Sequence, residues 1–204
     1  MSNLRLYDKP ECPFCWKIRL ALFELGLDVE RIDSADLATR AQWQALTPRK
    51  TVPVLVQDDL VIYESNVILE YLQDLTGQLL PKKPDARVQA RLINAYSDGV
   101  IGAGLREVIF EKRGNPQAEW DMERIERGTA QFEAALGHLS DQLGDKTFFA
   151  DSYSLPECAL TARFGLAEGY GVEIPERFAN LRAWFARMKE RESYLITAPK
   201  HLIL

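Results

Sequence analysis

Cys12 and Cys15 stand three residues apart in a 204-residue chain and enclose Pro13-Phe14. A thiol attacks sulfur or carbon as the thiolate, so its chemistry depends on what stabilises the charged form. The apolar run Leu4-Arg5-Leu6-Tyr7 before the pair reads as a strand, and the stretch from Trp16 to Leu25 reads as helical. A cysteine at that junction meets the unpaired N–H groups and the positive end of the helix dipole, and both favour the thiolate. Cys15, about one helical turn further on, is spaced to close a disulfide on Cys12. A zinc site would need a second cysteine pair or histidines at ligand spacing. Cys158, His138 and His201 each stand alone. Redox use therefore ranks first, a purely structural pair second and zinc last, so no metal is expected.

Composition narrows the classes around that pair. A chain of 204 residues can build one large domain or two small ones, and 47% hydrophobic residues with 27% charged ones describe a soluble protein. The net charge of −5 argues against nucleic acid as a direct partner, since phosphate binding needs a basic surface. No run reaches the ~18 apolar residues of a membrane helix. The start Met1-Ser2-Asn3-Leu4-Arg5 carries no apolar signal segment. Three cysteines make no even framework, which fits a reducing compartment and a cytoplasmic protein.

The elements that must hold the cysteines fall into two grammars. Up to residue 77, short β-like runs alternate with helical patterns. They are a strand Leu4 to Tyr7, a helix Cys12 to Leu25 stopped by Gly26, a strand Val29 to Ile32, and a helix Leu37 to Leu46 closed by Pro48. Val52 to Val56 and Leu60 to Ile62 flank Gln57-Asp58-Asp59 as a hairpin, and Ser65 is predicted to cap a helix from Asn66 to Leu75. Residues 78–85, with two prolines and no periodicity, read as a linker. From residue 86 to 204 the pattern is helical. Arg87 to Phe110 is one long amphipathic helix in which Gly99, Gly102 and Gly104 mark close packing or a bend. Glu119 to Leu143, Cys158 to Ala167 behind the capping box Ser154-Leu155-Pro156-Glu157, and Leu181 to Arg191 follow.

A β-α-β-α-β-β-α unit with Cys-Pro-Phe-Cys after its first strand resembles a thioredoxin-like fold of the glutaredoxin type. With an all-helical half appended, the chain resembles a cytosolic glutathione transferase. Four places carry the resemblance: Cys12 to Cys15, Thr51-Val52-Pro53-Val54, Glu64-Ser65, and Ser154 to Glu157. The first two are similar to cysteine-type members, the omega class and the two-domain glutaredoxins, rather than to members using Tyr or Ser.

The resemblance implies glutathione as co-substrate and assigns roles along the chain. Val52–Pro53 would be a cis peptide that presents the Val52 backbone to the cysteinyl part of glutathione. Ser65 and the free amides behind it would take the γ-glutamyl carboxylate, and Glu64 the α-ammonium. Lys50, or alternatively Arg40, would meet the glycine carboxylate. Tyr7 is read as a wall or support residue; Cys158, Trp16 and Trp43 as packing. Tyr96, Ile101, Leu105, Arg106 and Phe110 would form the second subsite.

The implied chemistry is attack of Cys12 on a glutathionyl mixed disulfide, with release by a second glutathione or by Cys15. Deglutathionylation, dehydroascorbate reduction and thiolysis of S-conjugated ketones follow the same logic. The partner is then a small disulfide, an S-conjugate or a glutathionylated protein, and a homodimer is expected. The competing class is non-enzymatic. Stringent starvation protein A, a partner of RNA polymerase, shares the Val-Pro element, the Glu-Ser pair and an ending similar to Arg191-Glu192-Ser193-Tyr194, but lacks the cysteines.

Overall fold

The structure, a computed structural model, describes residues 4–200, so His201 and the outermost residues of the expected halves lie outside it. The first seven elements are β1 (Leu4–Asp8), α1 (Pro13–Glu24), β2 (Glu30–Asp33), α2 (Leu37–Ala45), β3 (Val54–Gln57), β4 (Leu60–Tyr63) and α3 (Ser65–Thr76). The sheet order is β2-β1-β3-β4, with β1 and β2 parallel and the other neighbours antiparallel. This is the thioredoxin-like arrangement expected from the sequence.

Register sets the geometry of one sheet end. Tyr7 pairs with Val54, and Val54 pairs with Tyr63. The loop leaving β1, the residues preceding β3 and the residues following β4 therefore emerge side by side, which gathers Cys12, Val52-Pro53 and Glu64-Ser65.

Two expectations are corrected here. β3 begins at Val54 rather than Val52, because Pro53 has no N–H for a ladder; the Val52–Pro53 peptide is cis. Ser65 is not the cap of α3. The Glu64 carbonyl already accepts the first helical bond, from Ile68 N at 3.0 Å, so Glu64 occupies the cap at φ 65 and Ser65 is the first helical residue.

The helical half contains α4 (Pro84–Tyr96), α5 (Gly102–Gly114), α6 (Met122–Leu143), α7 (Leu155–Gly169), α8 (Ala179–Lys189) and α9 (Glu192–Thr197). The expected single helix from Arg87 to Phe110 is interrupted by a π turn at Ser97–Ile101. Just past that turn, a Cβ on Gly102 would lie 2.8 Å from Arg163 Cζ, so the position accepts glycine because the Arg163 guanidinium fills the space. Helix α6 starts at Met122 rather than Glu119, because residues Gln117–Glu119 form a separate 3-10 turn and Asp121 caps the helix by accepting from Arg124 N at 3.0 Å.

Helix α7 is the axis of the molecule, buried at every position from Leu155 to Ala167. Its capping box forms as expected: Glu157 accepts from Ser154 N at 3.0 Å and from Phe149 N at 2.7 Å. Full burial still pushes the Glu157 carboxyl up to about 7 against those amides. One continuous apolar core runs from Leu4 and Leu6 on β1 through Trp16 and Leu20 on α1 to Phe164 on α7 and Trp184 on α8. The halves share it.

Candidate active site at the end of the sheet

Cys12 is the N-cap of α1, extended at φ −83 and ψ 117, with Pro13 opening the helix where its missing N–H costs nothing. Its position is fixed from behind. Arg19, buried one and a half turns into α1, pairs with Asp8 at 2.6 Å and donates to Lys9 O at 3.3 Å and Pro10 O at 2.8 Å. Arg31 closes the other side of Asp8 at 2.6 Å. The loop between β1 and α1 is thus held at its start by the Arg19 guanidinium and ends at Cys12.

The Cys12 thiol is lowered from 9.0 to about 7. The largest cause is a hydrogen bond from the Cys15 thiol; burial opposes it, the Cys15 and Phe14 amides reinforce it, and the charge of Arg163 adds to it. Cys15 is closed off from solvent, and that burial, with the neighbouring thiolate, drives its own pKa well above 9.0. Burial thus separates the two cysteines: Cys15 donates its hydrogen bond from the core, and Cys12, partly exposed, receives it. Cys12 Sγ lies 4.0 Å from Val52 O, which joins the cysteine pair to the cis-proline element.

Glu64 adopts φ 65, a left-handed backbone that costs about 1–3 kcal/mol in a non-glycine residue and concentrates at ligand sites. Its exposed carboxylate faces Arg49 at 3.4 Å, while Ser65 is buried against the start of α3. Lys50 is exposed at φ 52 in the segment leading to β3, on the side of Val52. Arg40 is exposed on α2.

Beside Cys12 a cleft of about 360 Å³ opens between the loop of the first half and α5 and α7. Pro13, Phe14, Ala103, Ile109, Phe110 and Leu166 supply its apolar wall. Of the five residues expected in this subsite, Arg106 and Phe110 line it. Ile101 and Leu105 are fully buried in the core, and the Tyr96 hydroxyl is spent on Ala135 O at 3.0 Å. Their positions lie on the inner side of the helix pair, turned from the cleft.

The sequence reading missed the polar floor. Arg163 on α7 lays its guanidinium 4.6 Å from the Phe14 ring centre and meets Asp98 at 3.4 Å. Lys17, buried on α1, meets the same carboxylate at 2.6 Å and donates to Asn66 Oδ1 at 2.7 Å. A signal was available: Lys17 and Arg19 interrupt a helix otherwise apolar on every side from Cys15 to Leu22, and buried charges require partners. Trp16 and Trp43 are buried, as expected of packing residues; Tyr7 is buried too, in a small cluster with Trp43, Val54 and Val56, as support behind the site rather than as a wall of the cleft. Cys158 Sγ is buried 3.6 Å from the Tyr153 hydroxyl, its thiol pushed up to about 12 by desolvation. Among the described residues no group of three His, Cys, Asp or Glu could hold a metal, and no helix is long and apolar enough to cross a membrane.

Comparison with known proteins agrees with this geometry. Residues 11–75 match the family model for the glutathione S-transferase N-terminal domain, and residues 122–187 match that for its C-terminal domain. The chain is 30% identical over 203 residues to a stringent starvation protein A homolog of Coxiella burnetii, covering 95% of this chain and 90% of the relative. It is 26% identical to glutathione S-transferase U28 of Arabidopsis thaliana, covering 98% and 90%. A glutathione S-transferase from Methylobacillus flagellatus, solved with glutathione bound, superimposes at a TM-score of 0.81 with 27% identity over 97% of this chain and 100% of that one. A cysteine-bearing thioredoxin-like sheet end, closed by helices and matched in both halves, places the chain in the cytosolic glutathione S-transferase superfamily.

Proposed function

We propose that the protein is a glutathione-dependent thiol transferase working through the Cys12 thiolate. The observation that carries this reading is Cys12 itself, half-buried beside an open cleft with its thiol lowered to about 7. A thiol titrating there is about half thiolate at neutral pH, far more than a free thiol, and still a good leaving group. Cys12 attacks the glutathionyl sulfur of a mixed disulfide. A new S–S bond forms as the old one breaks, and its electron pair departs with the other half as a thiolate. A second glutathione thiolate then attacks the glutathionyl sulfur and releases Cys12 with glutathione disulfide. Cys15, buried and with its pKa raised, is a poor attacking thiol and serves in this reading as the hydrogen-bond donor.

Glutathione would lie across the sheet end. Its cysteinyl backbone meets Val52 beside Pro53, its γ-glutamyl group meets Ser65 and Glu64, and its glycine carboxylate meets Lys50, or alternatively Arg40. The superfamily and the glutathione-bound structure from Methylobacillus flagellatus support that ligand. The same reading gives a cytoplasmic homodimer, in which exposed Val67 and Leu75 on α3 and Val88 and Leu92 on α4 meet a second copy.

The test is glutathione-dependent reduction of hydroxyethyl disulfide. Cys12→Ser should abolish it, and Cys15→Ser should slow it without abolishing it. Retained turnover in Cys12→Ser would sink the proposal. A second reading, a non-enzymatic protein-binding module, is favoured by the 30% identity to a stringent starvation protein A homolog. Absence of both glutathione-resin retention and disulfide reduction would select it.

A further inference from the structure

The chain as a whole is acidic, with 30 carboxylate side chains against 25 Lys and Arg, yet the cleft beside Cys12 inverts that balance. Lys9, Arg106, Arg113 and Arg163 line it against Glu11 and Asp98. Both carboxylates are already engaged. Asp98 is shared by Lys17 at 2.6 Å and Arg163 at 3.4 Å, so two buried cations divide one acid. Glu11 faces Arg113 at 3.7 Å and accepts the Tyr170 hydroxyl. Among the described residues Lys9 and Arg106 enter no ion pair. Positive charge and apolar surface coincide: the guanidinium groups of Arg106 and Arg113 stand 6.0 and 5.2 Å from the Phe110 ring centre.

We infer that the second substrate of this cleft is a small anionic sulfur compound, with a carboxylate on an apolar or aromatic body near the reacting sulfur. The inference rests on the thiol-transfer reading of Cys12 and names the class of its co-substrate. A cleft with a net positive lining concentrates ligands of the opposite sign and repels like ones. Guanidinium groups give a carboxylate planar, weakly hydrated partners at modest desolvation cost. The same cations stabilise the negative charge that develops on the departing thiolate. A volume of about 360 Å³ is at the small end of ligand pockets, which favours a small molecule over a protein segment.

Two charge-matched pairs test this. The first is kcat/KM for the glutathionyl mixed disulfides of mercaptoacetate and mercaptoacetamide. The second is the rate of Cys12 alkylation by iodoacetate and iodoacetamide, with the thiol of free glutathione as reference. The anionic member of each pair should be favoured about tenfold over what the neutral reference chemistry gives, equivalent to ~1.4 kcal/mol. The preference should shrink in Lys9→Gln/Arg106→Gln and as salt is raised toward 0.5 M, where the screening length falls to about 4 Å. Both side chains are exposed, so the double variant should fold, and the salt series needs no variant. A preference at or below the reference, or one unmoved by salt and by charge removal, overturns the inference. If neither mixed disulfide turns over, the thiol-transfer reading falls, and the alkylation ratio alone still upholds or overturns anion selection. A Cys12 inert to both alkylating agents overturns both.

Discussion

At the residue scale the chemistry reduces to what holds a thiolate at Cys12. Its pKa lies below that of a free thiol, so the thiolate dominates above about pH 7 and is lost as pH falls through that value. The alkylation rate of Cys12 should therefore inflect near pH 7. Because the Cys15 hydrogen bond is the largest cause and the Arg163 charge a smaller one, Cys15→Ala should move the inflection upward further than Arg163→Met. An unmoved inflection in Cys15→Ala would remove the donor role. Arg19 is a second residue-scale test. Arg19→Met leaves the buried Asp8 with Arg31 alone and frees the carbonyls of Lys9 and Pro10. Breaking a buried pair on one side costs about 3–5 kcal/mol, so chemical denaturation should show a loss of that order. A loss under ~1 kcal/mol would mean that the loop is held elsewhere.

At the element scale, what could be read from sequence was what neighbours along the chain determine. Strand and helix order, the Ser154–Glu157 box and the position of Cys12 at a strand-to-helix junction all rest on patterns within a few residues. The cap of α3 was misplaced by one residue because a left-handed backbone at Glu64 has no sequence signature in a non-glycine residue. The break in the long helix was half visible: its glycines signalled close packing, but the guanidinium that fills the space comes from Arg163 on α7, far along the chain. Asp98 escaped for the same reason, since it acquires meaning only when three helices meet; Lys17 left a local signal, a charge within an apolar helix, but not the identity of its partner. Helix contact also sets a stability test. A Cβ on Gly165 would collide with the Trp16 ring, and Trp16 is fully buried, so neither side can yield. Gly165→Ala should lower stability by about 1–3 kcal/mol, the range for overpacking, despite alanine's higher helix propensity. A stabilised variant would show that α1 and α7 can separate cheaply.

At the scale of the whole molecule, the halves are tied together by polar contacts on top of the shared core. Arg91 forks onto Glu70 at 2.8 and 2.7 Å, Asn94 donates to Asn66 at 2.9 Å, and Arg191 grips Glu24 at 2.7 and 2.6 Å. Leu79, in the stretch between the halves, accepts from Leu155 N at 3.1 Å. Thermal unfolding followed by circular dichroism and calorimetry should accordingly give one transition, with matching calorimetric and van't Hoff enthalpies. Two resolved transitions would show that the halves are separate cooperative units.

Trp16 follows Cys15 directly, yet its indole is sealed by the other half of the chain. Its ring centre is 5.4 Å from that of Tyr194, and its Nε1 donates to Thr197 Oγ1 at 3.0 Å. A dry indole emits at shorter wavelength than a hydrated one. With Trp43, Trp120 and Trp184 changed to Phe, the remaining fluorescence becomes an optical gauge of whether the cysteine-bearing helix is seated on its helical support. Its red shift should coincide with loss of the far-ultraviolet signal. A shift that precedes it would reveal a cysteine-bearing helix that comes loose from its scaffold before the protein melts.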